Sequence, residues 1–323
     1  VRIAFIADDF LLDRDVLRPG GCSYYRCMLP MNTLRGHKVA FGPPAFTSEF
    51  GFGVRTSKTT AEFGFDVVVL KMMMDRWVPK HMQIAHERGQ KLIVDVDDHY
   101  DGIHEDNIAA AHTDPNVNKI RNREHYRTVI QAADLLTVST PFLADYYSPL
   151  VDEVVMVRNG INPKQFPKRD VRNRKPVLGW AGAMNWRSSD ADTAVPWLGE
   201  FLDEHDLMFH HAGHMPDAPV FAEKAGIDPD PSNIPFVAQG LPEYALLAEQ
   251  GVGRVAHTPE EWKLHLTDLL DYKTRKREAA VQRSRVLEDY SINARAHKWV
   301  DVYSRFADTR TDIPDMKVRY VKV

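Results

Sequence analysis

The chain has 323 residues, 44% of them hydrophobic and 27% charged, which is enough apolar material for two cores of ordinary domain size. Its formal charge of −4 gives no cationic field to favour nucleic acid. No run approaches the roughly 20 apolar residues of a membrane span and no signal peptide precedes the first strand, so a soluble, cytoplasmic protein without an integral membrane segment is expected. The two cysteines, Cys22 and Cys27, offer no disulfide framework and read as free thiols of a reducing compartment.

Val1 to Ala7 is a near-continuous apolar run that predicts a central parallel strand. A loop follows and ends in Arg18-Pro19-Gly20-Gly21, after which Ser23 to Leu34 has helical spacing and Gly36 to Phe41 starts a second strand. Residues 41 to 63 lack a period and read as loop. Phe65 to Leu70 is the next strand, Met72-Met73-Met74 suits loop packing, and Pro79 to Arg88 is a helix closed by Gly89.

Gln90 to Val96 is a strand that runs directly into Asp97-Asp98-His99-Tyr100-Asp101. In open α/β sheets ligands bind beyond the carboxyl ends of strands, and Asp95, Asp97, Asp98 and His99 stand at such an end. Alternation puts Asp95 and Asp97 on one face and lets Asp98 face the other. Three readings stay open: a sugar site hydrogen-bonding hydroxyls, a divalent metal site, and aspartates that cap loops. A polar stretch from His104 follows. A helix is expected over Asn118 to Ala133, with Arg121, Arg123 and Arg127 on a solvated basic face. Leu135 to Ser139 is a buried strand, Thr140-Pro141 opens a helix with a cap and an N1 proline, Val154 to Val157 is a strand, and Asn159-Gly160 turns the chain. The basic, proline-punctuated stretch that follows reads as a connector.

The second half restarts the same logic. Pro176 to Gly182 is a strand ending in glycine, Thr193 to Glu204 a helix, and Leu207 to Gly213 a second strand. His210 and His211 point to opposite faces of that strand, which makes a zinc site with His214 awkward. Thr258-Pro259-Glu260-Glu261 caps a helix.

The pattern Ala133-Asp134 through Ser139-Thr140, then Val157 through Asn159-Gly160-Ile161 and a linker, resembles the end of the first domain in glycosyltransferases of the GT-B fold, especially family four. The glycine-rich loop with Gly20 and Gly21 is similar to a further piece of that family, as is Ile234 to Tyr244, which the resemblance makes a strand followed by a loop near the nucleotide sugar, with Gly251 to Val255 as the short strand after it. The resemblance implies an α/β fold of two Rossmann-like domains facing each other across a cleft, with a C-terminal helix crossing back to the first. The domains expected are 1–165, a linker at 166–175, 176–300, and a return segment with a tail at 301–323. It also implies transfer of a sugar, with retention of configuration, from a UDP- or GDP-sugar, with no further cofactor and no protein-bound metal. The acceptor is left open as glycan, lipid, protein or modified nucleic-acid base.

Within that frame Asp97, Asp98 and His99 are the catalytic candidates, and Gly20, Gly21, Gly182, Arg187, Gly240 and Glu243 the donor-binding ones. Gly20-Gly21 would let backbone N–H groups approach the donor phosphates, although an ordinary βα turn explains a Gly-Gly pair equally well. The family places an arginine and a lysine where this chain has Ala183 and Ser188, which leaves Arg187 as the nearby cation. The interval from Gly182 to Ile234 is also short of a strand–helix–strand unit and its paired glutamates. An internal segment absent near Asp230-Pro231 is expected, or a genuine deletion that would compromise donor binding. A nucleotide-sugar epimerase or hydrolase, and a non-catalytic binding protein of the same fold, are the other readings.

Overall fold

A computed structural model describes residues 1–13, 16–44, 64–103, 105, 107–165, 175–181, 188–212, 235–239 and 242–306. The apolar run at the start forms β1 (Arg2–Ala7), buried in all but its first residue. The loop expected after it contains an antiparallel hairpin, β2 (Phe10–Asp13) with β3 (Val16–Pro19), which carries the chain back beside its starting point. A helix follows, here called α1, through Gly21–Ser23, a wider π-helical stretch Tyr24–Met28, and Leu29–Met31. Within it the Leu29 N–H bonds to the Tyr24 carbonyl five residues back. Pro30 has no N–H to continue the ordinary ladder, and the wider turn stands immediately before it.

β4 (Lys38–Gly42), β5 (Val67–Lys71), α2 (Val78–Glu87), β6 (Lys91–Val96), α3 (Ile108–Thr113), α4 (Arg123–Gln131), β7 (Leu135–Val138), α5 (Pro141–Tyr147) and β8 (Val154–Met156) complete the first half. Six strands make one parallel sheet in the order β4-β1-β5-β6-β7-β8. β5 and β6 are apolar almost throughout because both faces of such a sheet are covered. As the sequence suggests, Thr140 caps α5, accepting from the Leu143 N–H at 3.2 Å with Pro141 at N1.

The chain separates into two units, one of 1–101, 113–161 and 292–323, the other of 102–112 and 162–291. In the first, Ile3, Phe5, Val67, Val69 and Ile93 pack with Cys27 and Leu29 of α1 and with Trp299, Val302 and Tyr303 of the last helix. That helix, Ile292–Ser304, seals the sheet, with Tyr303 edge-on to Phe5 at 5.2 Å. It joins the first unit from Ile292, before the expected return at 301. Gly160 does not turn the chain through a left-handed conformation. A Cβ there would lie 3.0 Å from the Ile292 Cα, so the glycine is needed for close approach of two backbones, joined by the Ile292 N–H to the Ile161 carbonyl at 2.8 Å.

In the second unit β9 (Val177–Ala181) pairs in parallel with β10 (Met208–Ala212), and β11 (Val237–Gln239) with β12 (Arg254–Ala256). Between them in sequence lie α6 (Ser188–Glu204) and α7 (Pro242–Glu249). α8 (Pro259–Asp268) and α9 (Tyr272–Asp289) follow, and the last helix is α10. Trp197, Leu198, Phe201 and Leu202 of α6 form the core with Leu207, Phe209 and Leu266. As expected, this segment caps α8: Thr258 accepts from the Glu261 N–H, and Glu261 accepts from the His257 N–H just before the cap. Residues 166–174 of the expected linker and the stretch around Asp230-Pro231 lie outside the described residues.

One ion pair sits at the centre of the first unit. Arg26, from the π-helical stretch, and Asp95 of β6 are both fully buried and meet as a fork, Nε to Oδ1 at 3.0 Å and Nη2 to Oδ2 at 2.6 Å. Arg26 Nη1 also donates to the Val157 carbonyl at 2.5 Å and to Asn159 Oδ1 at 3.1 Å, and its guanidinium lies 4.8 Å from the Trp299 ring. Thr137 completes the shell, donating to Asp95 Oδ2 at 2.7 Å. Breaking such a pair strands a charge in the core, so Arg26→Met is expected to cost about 3–5 kcal/mol, and adding Asp95→Leu to recover most of it. Urea unfolding of the two variants tests this. A double variant no more stable than Arg26→Met would remove the pair from its central role.

Asp134 belongs to the motif that carried the family resemblance, and it lies at the opposite, amino edge of the sheet. Its carboxylate accepts from the Leu92 N–H and the Lys91 ammonium, each at 2.8 Å, and has His86 Nε2 at 2.8 Å. Burial raises this carboxyl, but these partners outweigh it and bring it down to about 2. The folded value is the lower one, so the stabilisation is present above the unfolded carboxylate range and fades as pH falls towards about 2. Asp134→Asn should therefore cost about 1–2 kcal/mol at neutral pH, discounted for half-exposed partners, and the gap to the parent should close in acid. Melting curves between pH 7 and pH 3 that stay parallel would contradict this account.

Candidate functional site

Strand order reverses between β1 and β5, since the chain runs first to β4 on one side and then to β5 on the other. Crevices in open α/β sheets form beyond the carboxyl ends at such a point. The residues delivered there are Asp8 and Asp9 after β1, Gly20 and Gly21 after the hairpin, and Lys71 and Met72 at the end of β5.

The hairpin returns Gly20 to Asp9, where the Gly20 N–H donates to the Asp9 carbonyl at 2.8 Å. The Asp9 carboxylate then accepts from the Ser23 N–H at 3.0 Å, so the amino end of α1 is already met by an anion of the chain itself. A Cβ on Gly20 would fall 1.8 Å from Asp9 Oδ1, which accounts for that glycine by packing. Gly21 differs: it is exposed, and a Cβ there would meet nothing within 4 Å. Of the two glycines, Gly21 is the one that presents an open backbone.

Asp95 and Asp97 share a face, as the alternation requires, and each has a buried cation. Asp95 is held by Arg26. Asp97 forms an ion pair with Lys71, which is fully buried and sits in register with Asp95 on the next strand. Burial would raise the Asp97 carboxyl, but the Lys71 ammonium and hydrogen bonds from Lys71 and Cys22 keep it below the usual range. Burial pulls Lys71 down, and Asp97 more than offsets this, so the ammonium stays charged. Cys22 beside them is pushed up to about 12, first by burial and then by Asp97, which makes it an unreactive thiol. Both cysteines are free.

Asp98 is exposed and accepts from the His99 N–H at 2.9 Å. The His99 ring is wedged edge-on against Phe142 at 5.0 Å and Tyr146 at 4.3 Å, and its Nε2 is buried without a hydrogen bond. The three catalytic candidates thus occupy different settings at one strand end: Asp97 beneath, bonded to a cation; Asp98 outermost; His99 against aromatic rings.

A further cluster went unread in the sequence. Arg121 lies before α4, not on a solvated helix face, and forms an ion pair with Asp8, reaches Asp75 at 3.4 Å and donates to the Met72 carbonyl at 2.9 Å. Met72 takes a left-handed conformation, φ 59°, rare for a residue with a side chain. Burial raises the Asp8 and Asp75 carboxyls although both share the Arg121 guanidinium. The Asp8-Asp9 pair directly after the first apolar strand was the available signal.

Gly182, Arg187 and Gly240 lie outside the described residues, as does the side chain of Glu243. His214 lies outside them as well. Among the described residues no group of three or more histidine, cysteine, aspartate or glutamate side chains is arranged to hold a metal ion, and no helix is long and apolar enough to cross a membrane.

No family model matches the chain, and no curated protein matches it. Among solved structures, the acarbose kinase Mak1 derived from a microbiome reaches a TM-score of only 0.26 at 10% identity, over 48% of this chain and 69% of that one. An ABC-transporter solute-binding protein from Clostridium phytofermentans with bound β-D-glucose reaches 0.24 at 12% identity, over 64% and 51%. Neither supports an argument. Anabaena HepE (Alr3699) in complex with UDP is similar at a TM-score of 0.56 and 11% identity, over 94% of this chain and 100% of that one. With the six-stranded parallel sheet and its covering helices, that likeness makes the fold α/β and GT-B-like.

Proposed function

We propose that the chain is a glycosyltransferase-like protein that takes a UDP-sugar as donor and passes its sugar to an acceptor bound beside the carboxyl edge of the first unit's sheet. The observation that carries this reading is the fold likeness to a protein in complex with UDP, extending over 94% of this chain and all of that one. It favours UDP over GDP among the donors expected from the sequence. The open backbone at Gly21 supports a donor contact in the first unit, and Gly182, Arg187, Gly240 and Glu243 are proposed as the donor contacts of the second. Asp97, Asp98 and His99 are proposed to orient the reacting hydroxyl, and catalysis would rest on orientation and on neutralising the leaving diphosphate. A non-catalytic binding protein is the second reading, because Ala183 and Ser188 stand where the family resemblance calls for cations.

Calorimetric titration with UDP is expected to give saturable binding with Kd below about 1 mM. Gly21→Val should weaken it at least about tenfold while leaving the melting temperature unchanged, since space around Gly21 is open and the cost falls on the ligand. Gly20→Ala should instead lower the melting temperature, because its Cβ would overlap Asp9. Absence of UDP binding by the parent protein would overturn the donor reading, and unchanged affinity in folded Gly21→Val would remove the loop from it.

Turnover of a UDP-sugar separates the two readings. His99→Ala is expected to reduce turnover per folded molecule, whereas Asp97→Asn should reduce both turnover and stability, because Lys71 would lose its buried partner. Chelator should leave the parent enzyme active if polar contacts alone orient the reactants. Strong inhibition, reversed by Mg²⁺ or Mn²⁺, would favour a metal role. Full activity per folded molecule in both variants would rule the two residues out.

A further inference from the structure

Phe142 is 45% exposed at the second position of α5, a place where an acidic side chain would complement the helix dipole and none stands in the first turn. A lone exposed phenylalanine would need no explanation. This one belongs to a built group of rings. Tyr146, one helical turn on, lies nearly parallel to it, 22° between planes at 6.1 Å, and His99 abuts both edge-on. The Tyr146 ring is itself fixed: its hydroxyl accepts from Arg127 Nη2 at 2.9 Å, Arg127 is held by Asp101 at 3.2 Å, and Tyr147 meets the ring edge at 4.9 Å. A rigid aromatic surface therefore stands at the carboxyl ends of β6 and β7. Asp98, exposed, is the residue before His99 and accepts from its N–H at 2.9 Å.

The chemistry that matches a flat exposed ring beside an exposed carboxylate is a sugar. One face of a pyranose presents C–H groups that stack on an aromatic ring, and its equatorial hydroxyls donate to a carboxylate. A lipid chain offers an exposed carboxylate no hydrogen-bond donor, and an anionic acceptor would be repelled by it. We propose that the acceptor is a carbohydrate whose terminal ring stacks on Phe142 with a hydroxyl towards Asp98, an inference that rests on the glycosyl-transfer reading above. Phe142 and Tyr146 then select for a ring face, and Asp98 sets which edge of that ring points inward.

Saturation-transfer NMR of the full chain, with UDP present, would use maltotriose, cellotriose and triacetylchitotriose as probes and adenosine as a flat aromatic control. At least one trisaccharide is expected to receive transfer at its ring C–H protons. Phe142→Ala, which removes an exposed side chain and should keep the parent's circular dichroism, is expected to weaken that probe about tenfold, and Phe142→Tyr to restore it. Asp98→Asn is expected to weaken the same probe while leaving UDP affinity as it was. No transfer to any of the trisaccharides, transfer to adenosine alone, or equal affinity in Phe142→Ala would each overturn the proposal. UDP titrated into the same samples keeps the two readings apart. UDP binding without a saccharide contact defeats the acceptor inference alone. Saccharide binding that depends on Phe142, without UDP binding, supports the platform and defeats the donor reading.

Discussion

The Arg26–Asp95 pair is the constraint on which the first unit is built. A guanidinium and a carboxylate without solvent access are tolerated only when every donor and acceptor is met, and here the partners come from five places in the chain. α1 supplies Arg26, β6 supplies Asp95, β7 supplies Thr137, the turn after β8 supplies Val157 and Asn159, and α10 supplies the Trp299 ring. Ser23, Arg26 and Cys27 share the inward face of α1 at the i, i+3, i+4 spacing of a helix. One buried cation thereby ties together α1, the carboxyl end of β6, the turn after β8 and α10.

That arrangement sorts carboxylates by depth. Asp95 is neutralised by Arg26 in the core, Asp97 by Lys71 one layer out, and Asp98 beyond them faces solvent. Asp8 and Asp75 share Arg121 at the neighbouring strand ends. Along a few residues of β6 the same side-chain type serves as core counter-ion, as partner of a buried lysine and as surface acceptor. Sequence position alone does not separate these roles, because the cations that decide them come from residues 26 and 71.

What could be read directly was local. The apolar strands, the Thr140-Pro141 cap and the shared face of Asp95 and Asp97 follow from periodicity and capping chemistry, and the structure has them. The β2–β3 hairpin was hidden because the stretch after β1 reads as loop, and Arg121 looked like a surface charge because its partners lie more than 40 residues away. Asp134 shows the opposite limit. It belongs to a motif that pointed to a glycosyltransferase, yet its contacts hold the start of β6 at the amino edge of the sheet, opposite the candidate site. Gly160 looked like a turn and proved to be a point of backbone contact.

That contact matters for how the chain tolerates change in length. Residues 162–291 leave the first unit at Ile161 and return at Ile292, and those two residues are already hydrogen-bonded to each other at 2.8 Å beside Gly160. The excursion is a loop whose mouth is closed by the unit it departs from. Within it Trp197, Phe201 and Leu266 pack a core of their own. Insertions and losses within it are therefore nearly invisible to the first unit's core, whereas a single methyl group at Gly160 reaches that core directly.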